Sequence, residues 1–202
     1  MLQYSKILSN SEDVLTMSRT KYIVLIAMIT AMAYIIGMAI QIRFMAGAPF
    51  LTYDPKDTII VVGGFLFGPV AAAIISLMLA FTEMITHSPT GYWGMLMNFS
   101  ASAAFAVPAT ILYKRMQNIW GAIIGLMIGS LFATAIMLYL NYLIVPLFMT
   151  HVTREQVIDM LVPIFLPFNL IKTGINSAIV IVIYKPIFIA LKAAGVLDKV
   201  DK

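Results

Sequence analysis

Three polar side chains, Asn169, Lys172 and Asn176, lie inside the last long apolar run of the chain, Pro163 to Lys185. Their spacing of i, i+3 and i+7 puts all three on one face of a helix. A lysine in the middle of a membrane is costly where it faces lipid, so it usually faces a protein interior or a watery cavity. The alternative is that Lys172 snorkels to the membrane surface. Because two amides accompany the charge, we interpret this face as the polar rim of a ligand pocket.

Glu83, Asn98 and Asn141 are further candidates for such a pocket, since each lies within an apolar segment. Glu83 is one helical turn from a predicted loop, so it could equally extend to the membrane surface. A single asparagine in a membrane helix often does no more than bond a neighbouring helix, with a strength of about 1 kcal/mol or less. The sequence therefore leaves two roles open for Asn98 and Asn141: each could line a ligand pocket or bond a neighbouring helix.

The composition is that of an integral membrane protein. Of 202 residues, 61% are hydrophobic and only 11% are charged, whereas about a quarter of the residues in a soluble domain are charged. The net charge of +4 therefore bears on orientation in the membrane, and no nucleic-acid partner is implied. The absence of cysteine excludes disulfides, thiolate metal sites and a cysteine nucleophile. His87 and His151 lie far apart in predicted loops and do not form a metal-ligand pair.

The apolar segments predict an all-α membrane protein with six transmembrane helices. We expect residues 1–20 to be an N-terminal tail without a cleavable signal peptide, 21–190 the membrane substrate-binding domain, and 191–202 a C-terminal tail. The second span is too short to cross the membrane upright unless it includes part of its flanks. The predicted spans are Lys21–Ile42, Thr58–Phe67, Val70–Thr86, Gly94–Tyr113, Ile119–Phe148 and Met160–Tyr184, the last preceded by a polar loop at 149–159.

The distribution of basic residues predicts the orientation. Six spans put both termini on the same side, and that side carries nine lysines and arginines against three on the other. The positive-inside rule therefore places the termini in the cytoplasm. The loops at 43–57, 87–93 and 149–159 then face the exterior, together with the Asn169 and Lys172 end of the last span.

Small residues recur at four-residue spacing in two of the predicted spans. Such stripes allow helices to approach each other closely. In the fifth span, Gly121, Gly125 and Gly129 are interpreted as internal packing. In the first span, Ala27 and Ala31 could instead dock a separate membrane protein.

The sequence contains no motif that could drive transport or catalysis alone. It has no GxxxxGK[ST] phosphate-binding loop, no GxSxG and no HExxH. The remaining classes are a binding subunit, a facilitator that works alone, or a membrane enzyme that uses Glu83, His87 or His151.

Several motifs resemble those of the S components of energy-coupling factor (ECF) vitamin transporters. The six-span layout, the short second span, the alanine pair of span one, and FLTYDPKD followed by GGFLFGPVAA are similar to that family. FLPFNLIKTG, LNYLIVP and GMLMNF are similar to its riboflavin-binding branch. The resemblance covers about Lys21 to Ile189 and implies a bundle of the S-component type in the plasma membrane of a prokaryote.

The resemblance also implies the site and its partners. The flavin would contact Asn169 and Lys172 with Asn141 beside them, and the loop Pro49 to Asp54 would close over it. Riboflavin or an FMN-like flavin would be the transported ligand, and no cofactor or metal is expected. A membrane-embedded coupling subunit, the T component, would dock on Ala27 and Ala31, and two ABC-type ATPases would supply the energy. The expected substrate-binding residues are Leu51, Thr52, Asp54, Asn98, Asn141, Asn169 and Lys172.

The loop departs from the DFSD pattern of many riboflavin members, since it reads Asp54-Pro55-Lys56-Asp57. The alternative is therefore an S component for another vitamin, either pyridoxine-like or pyrimidine-like. A phosphorylated flavin would need a further cation near the exterior, for which Arg43, Lys56 and Arg154 are candidates.

Overall fold

The structure is a computed structural model that describes residues 18–45, 48, 50–149 and 152–193, with the backbone alone for Lys185 and residues 187–193. Most of both predicted tails, Pro49 of the first exterior loop and His151 lie outside the described residues. The helices are α1 (Arg19–Ala39), α2 (Lys56–Phe67), α3 (Pro69–Thr86), α4 (Gly91–Met116), α5 (Ile119–Phe148), α6 (Arg154–Met160) and, after a π-helical turn (Leu161–Phe165), α7 (Leu166–Ala193).

The predicted all-α architecture is confirmed in the described part of the chain, where the only β-pairing is an isolated bridge between Ile42 and Tyr53. Five helical segments are long and apolar enough to cross a membrane: α1, α3, α4, α5 and the stretch from Arg154 to Tyr184. The sixth pass is α2, with 12 residues.

Helix α2 can be short because it lies in the centre of the bundle. All of its residues are buried, so at about 1.5 Å per residue it contributes about 18 Å of helix that does not have to match the thickness of the lipid. A Cβ atom on Gly63 would lie 2.8 Å from Ile75 and 3.1 Å from Ile29. A side chain at Gly64 would collide with Thr110. The glycine pair therefore lets α1, α3 and α4 pack directly against the backbone of α2.

The prediction for the last span was wrong at its start. Instead of a polar loop up to residue 159, a helix begins at Arg154, capped by Thr153 and Gln156, whose side chains each bond the other's backbone N–H. The π-helical turn contains Pro163, which has no backbone N–H to donate. The local change of hydrogen bonding accommodates this residue, and the helix continues beyond it. It extends past the predicted end at Tyr184 to Ala193.

The glycine stripe of α5 packs inside the bundle, as predicted. A Cβ atom on Gly125 would lie 2.6 Å from the carbonyl oxygen of Ala109 in α4, and one on Gly129 would collide with the carbonyl oxygen of Phe105. The backbones of α4 and α5 are therefore in direct contact, and only glycine fits between them.

We expect Gly129→Ala to lower the free energy of unfolding by about 1–3 kcal/mol, because the added methyl group overpacks a contact between two backbones. At about 2–4 °C per kcal/mol, the apparent melting temperature in detergent should fall by several degrees. Gly174→Ala is the matched control, since no atom lies within 4 Å of the Cβ it would add. Equal melting temperatures for the two variants would contradict the close packing of α4 and α5.

Candidate functional site

A cavity of about 730 Å³ lies at the end of the bundle that carries the α1–α2, α3–α4 and α5–α6 connections. By the predicted orientation this end faces the exterior. Apolar side chains form much of the wall, namely Phe50, Leu51, Met97, Met137, Val145 and Phe168. The volume is within the range of about 300–1,000 Å³ that is usual for small-molecule sites.

All seven residues predicted to bind substrate line this one cavity. Leu51, Thr52 and Asp54 come from the α1–α2 loop, and the other four come from α4 (Asn98), α5 (Asn141) and α7 (Asn169 and Lys172). Together they span more than a hundred positions of the sequence, from Leu51 to Lys172, so their convergence is a result of the fold. That they contact a ligand stays a prediction.

The hydrogen bonds of Asn141 and Asn169 determine which amide atom each can offer to a ligand. Nδ2 of Asn141 donates to the carbonyl oxygen of Met137 at 2.6 Å, and Nδ2 of Asn169 donates to that of Phe165 at 2.7 Å. A carbonyl oxygen can only accept, so the nitrogen of each amide must face it. Each asparagine therefore retains an oxygen, Oδ1, that makes no hydrogen bond to the described residues. Each of these two asparagines can therefore offer an acceptor to a ligand.

Lys172 is held by two carboxylates and does not extend to the membrane surface. Its Nζ lies 3.3 Å from Asp54 and 3.6 Å from Asp57, and its side chain is 14% exposed. Ser102 in turn donates a hydrogen bond to Asp57. Because an ammonium group in this position is already neutralised, it can donate to a ligand without an uncompensated buried charge.

Glu83 is also buried, which excludes the surface role considered for it. Nζ of Lys56 lies 2.7 Å and 2.9 Å from its two carboxylate oxygens, and Nδ2 of Asn98 donates to one of them at 2.9 Å. Lys56 also lies 3.7 Å from Asp54. The sequence reasoning placed Lys56 in the loop and gave no role to Asp57. Their position directly before the apolar run that ends at Phe67, where they form the first turn of α2, was the signal that could have indicated burial.

Asp54 connects Lys56 and Lys172, since both lysines contact its carboxylate. Burial alone would raise the pKa of its carboxyl group. The ammonium groups of Lys172 and Lys56 outweigh that effect and hold the pKa below its usual value. Asp54 is therefore ionised at neutral pH and links the α1–α2 loop to α7 by charge.

Asn176 is on the predicted helix face but holds the loop instead of lining the cavity. Its Oδ1 accepts hydrogen bonds from Tyr53 at 3.1 Å and from Thr58 at 3.2 Å. The backbones of Tyr53 and Ile42 also pair, with N···O distances of 2.8 and 3.0 Å. The loop that contributes Leu51 and Thr52 is thus fixed to α7.

Of the two histidines considered for catalysis, the structure describes His87. His87 lines the cavity as an exposed residue and bonds the Thr86 hydroxyl through Nδ1, whereas His151 lies outside the described residues. Within the described ranges, no three His, Asp or Glu side chains are grouped so that they could hold a metal ion.

Ala27 and Ala31 are exposed on the outer face of α1. They lie outside the face of that helix formed by Ile26, Thr30 and Ala33, which are buried in the bundle. The alanine pair is therefore not part of the buried core of the bundle. That it docks a partner stays a prediction.

Comparison with known proteins identifies relatives of the chain. Residues 21–184 match the family described as "ECF transporter, substrate-specific component". The chain is 29% identical over 182 residues to the riboflavin transporter RibU of Staphylococcus aureus (strain TCH60), covering 87% of this chain and 95% of the relative. It is 28% identical over 182 residues to the riboflavin transporter FmnP of Bacillus subtilis (strain 168), covering 86% and 93%.

A solved structure has the same fold. It is described as the S component of a bacterial ECF transporter, and it matches this chain with a TM-score of 0.73 and 28% sequence identity. The match covers 87% of this chain and 99% of the solved one.

Proposed function

Because the chain belongs to the family of substrate-specific components of ECF transporters, we propose that it binds riboflavin in the cavity and presents it for import. The chain is a multi-pass protein of the plasma membrane. The observation that carries the proposal is that the seven residues expected at a flavin site line a single cavity. Two similar proteins that span nearly the same length are riboflavin transporters.

The chemistry of the cavity suits a flavin. The ring system is flat and largely apolar, and it carries an imide N–H, ring carbonyls and a ribityl chain. The apolar wall would cover the ring, while Oδ1 of Asn141 or Asn169 would accept from the imide N–H. Lys172 would donate to a ring carbonyl or a ribityl oxygen. Buried polar groups of this kind reject analogues that lack the matching partner.

The loop residues Leu51 and Thr52 would close the site, and Asp54 and Asn98 would complete its polar wall. In this proposal the protein does no chemistry on riboflavin and needs no cofactor. A T component would dock on the exposed Ala27 and Ala31, and two ABC-type ATPases would supply the energy for release into the cell.

The first experiment is an absorption spectrum of the full chain purified in detergent, before and after riboflavin is added. We expect flavin bands that persist through gel filtration, and quenching of flavin fluorescence with one site per chain. The matched control is the same protein after unfolding, which should release the flavin.

A protein that neither carries flavin bands nor quenches added riboflavin would contradict the proposed ligand. Native mass spectrometry of the gently extracted protein would then identify the co-purifying mass, for example a pyridoxine-like or pyrimidine-like vitamin. Uptake that continues without ATP would instead indicate a facilitator that works alone.

A further inference from the structure

The charged residues around the cavity form one connected group, here called the charge cluster: Asp54, Lys56, Asp57, Glu83 and Lys172. Lys56 joins Glu83 to Asp54, and Lys172 joins Asp54 to Asp57, with N···O distances from 2.7 to 3.7 Å. Three carboxylates thus face two ammonium groups. With all five side chains ionised, one negative charge is in excess.

Glu83 places negative charge of this cluster on the cavity wall. Asp57 does not line the cavity, and Asp54 is shared by two lysines, whereas Glu83 lines the cavity and, among the described side chains, forms an ion pair with Lys56 only. Glu83 is 5% exposed, and much of the surrounding wall is apolar. Salt and water therefore screen its charge weakly.

Three cations are candidates for contact with a phosphate group, namely Arg43, Lys56 and Arg154. None of them is well placed to neutralise the negative charge of Glu83. Lys56 is committed to Glu83 and Asp54. Arg154 does not line the cavity and lies over the ring of Tyr142 at 5.9 Å. Arg43 lines the cavity but is exposed, so solvent screens it. Lys172, which also lines the cavity, is already paired with Asp54 and Asp57.

We propose that Glu83 determines the charge selectivity of the cavity, so that it accepts an uncharged flavin and rejects the phosphorylated form. This inference rests on the proposed function. A phosphate monoester carries a charge of about −1.5 to −2 at neutral pH, and like charges brought together at a binding site oppose association strongly. The cavity volume of about 730 Å³ does not exclude a few additional atoms. Rejection therefore depends on charge and not on size.

The test compares three ligands on the detergent-purified full chain by fluorescence quenching: riboflavin, riboflavin 5′-phosphate and riboflavin 5′-acetate, which is a neutral ester. The wild-type protein should bind riboflavin and the acetate at least about tenfold more tightly than the phosphate. Glu83→Gln should reduce the ratio of riboflavin affinity to phosphate affinity by at least about tenfold, because it removes the excess charge and leaves Lys56 paired with Asp54 alone. Glu155→Gln, the same change at an exposed position of α6, should leave the ratio at the wild-type value.

Two results would overturn the inference. If the wild-type protein binds the acetate as weakly as the phosphate, the size of the added group is the cause of the weak binding. This comparison uses the wild-type protein only, so it does not depend on whether a variant folds. If Glu83→Gln weakens both flavins in proportion, Glu83 supports the site without selecting by charge. Failure of the wild-type protein to bind any flavin would contradict the proposed function instead.

Discussion

Lys172→Met should weaken riboflavin binding by at least about tenfold, the scale of a lost hydrogen bond from a charged donor. It should also destabilise the fold. Lys172 is the only cation within 4 Å of Asp57 among the described residues, and Asp57 is 3% exposed. Removal of one partner from such a buried pair costs about 3–5 kcal/mol. The measurements are flavin titration and the melting temperature of the purified variant.

A second variant separates these two effects. Lys172→Met combined with Asp57→Asn removes the orphaned carboxylate while Asp54 keeps its contact with Lys56. The double variant should regain most of the lost stability and still bind riboflavin weakly. If Lys172→Met folds and binds riboflavin with unchanged affinity, Lys172 is not part of the flavin site.

Ala27→Trp combined with Ala31→Trp should abolish uptake of riboflavin and leave its binding intact. Both alanines are exposed on α1, and neither lines the cavity, to which that helix contributes Gly37 near its C-terminal end. Two indole rings there would prevent close approach of a partner helix, which small residues permit. Uptake would be measured in cells that supply the T component and the ATPases, and binding would be measured on the purified chain.

The matched control places the same two rings at the same spacing on another exposed face. Met127 and Leu131 of α5 are 62% and 63% exposed, and Met127→Trp with Leu131→Trp should preserve both uptake and binding. Loss of binding in the Ala27 and Ala31 variant would mean that these alanines serve the internal fold. Normal uptake in that variant would place the docking surface elsewhere.

The sequence by itself determined the class of protein, the number of passes and most of the candidate site. Apolar runs report burial in lipid directly, so α1, α3 and α5 lie close to their predicted ranges. Amides and a lysine inside such runs are costly unless they serve a purpose, which is why Asn169 and Lys172 could be chosen from the residues alone. For Asn98 and Asn141 the same reasoning left a packing role open. The glycine stripe of α5 could likewise be predicted, because its four-residue spacing is a local pattern of the sequence.

Only the tertiary structure decided how the polar residues are paired. Lys172 and Asp54 are 118 positions apart, and Lys56 and Glu83 are 27 apart. No local period encodes such contacts, because they depend on how α2, α3 and α7 pack around the cavity. The sequence therefore did not determine whether Glu83 extends to the membrane surface or lines the cavity, and it placed Lys56 in the exterior loop. The capping box of Thr153 and Gln156 is a local pattern that apolar periodicity does not register. The hydrogen bonds of Asn176 to the loop and the excess negative charge of the charge cluster depend instead on contacts between residues distant in sequence.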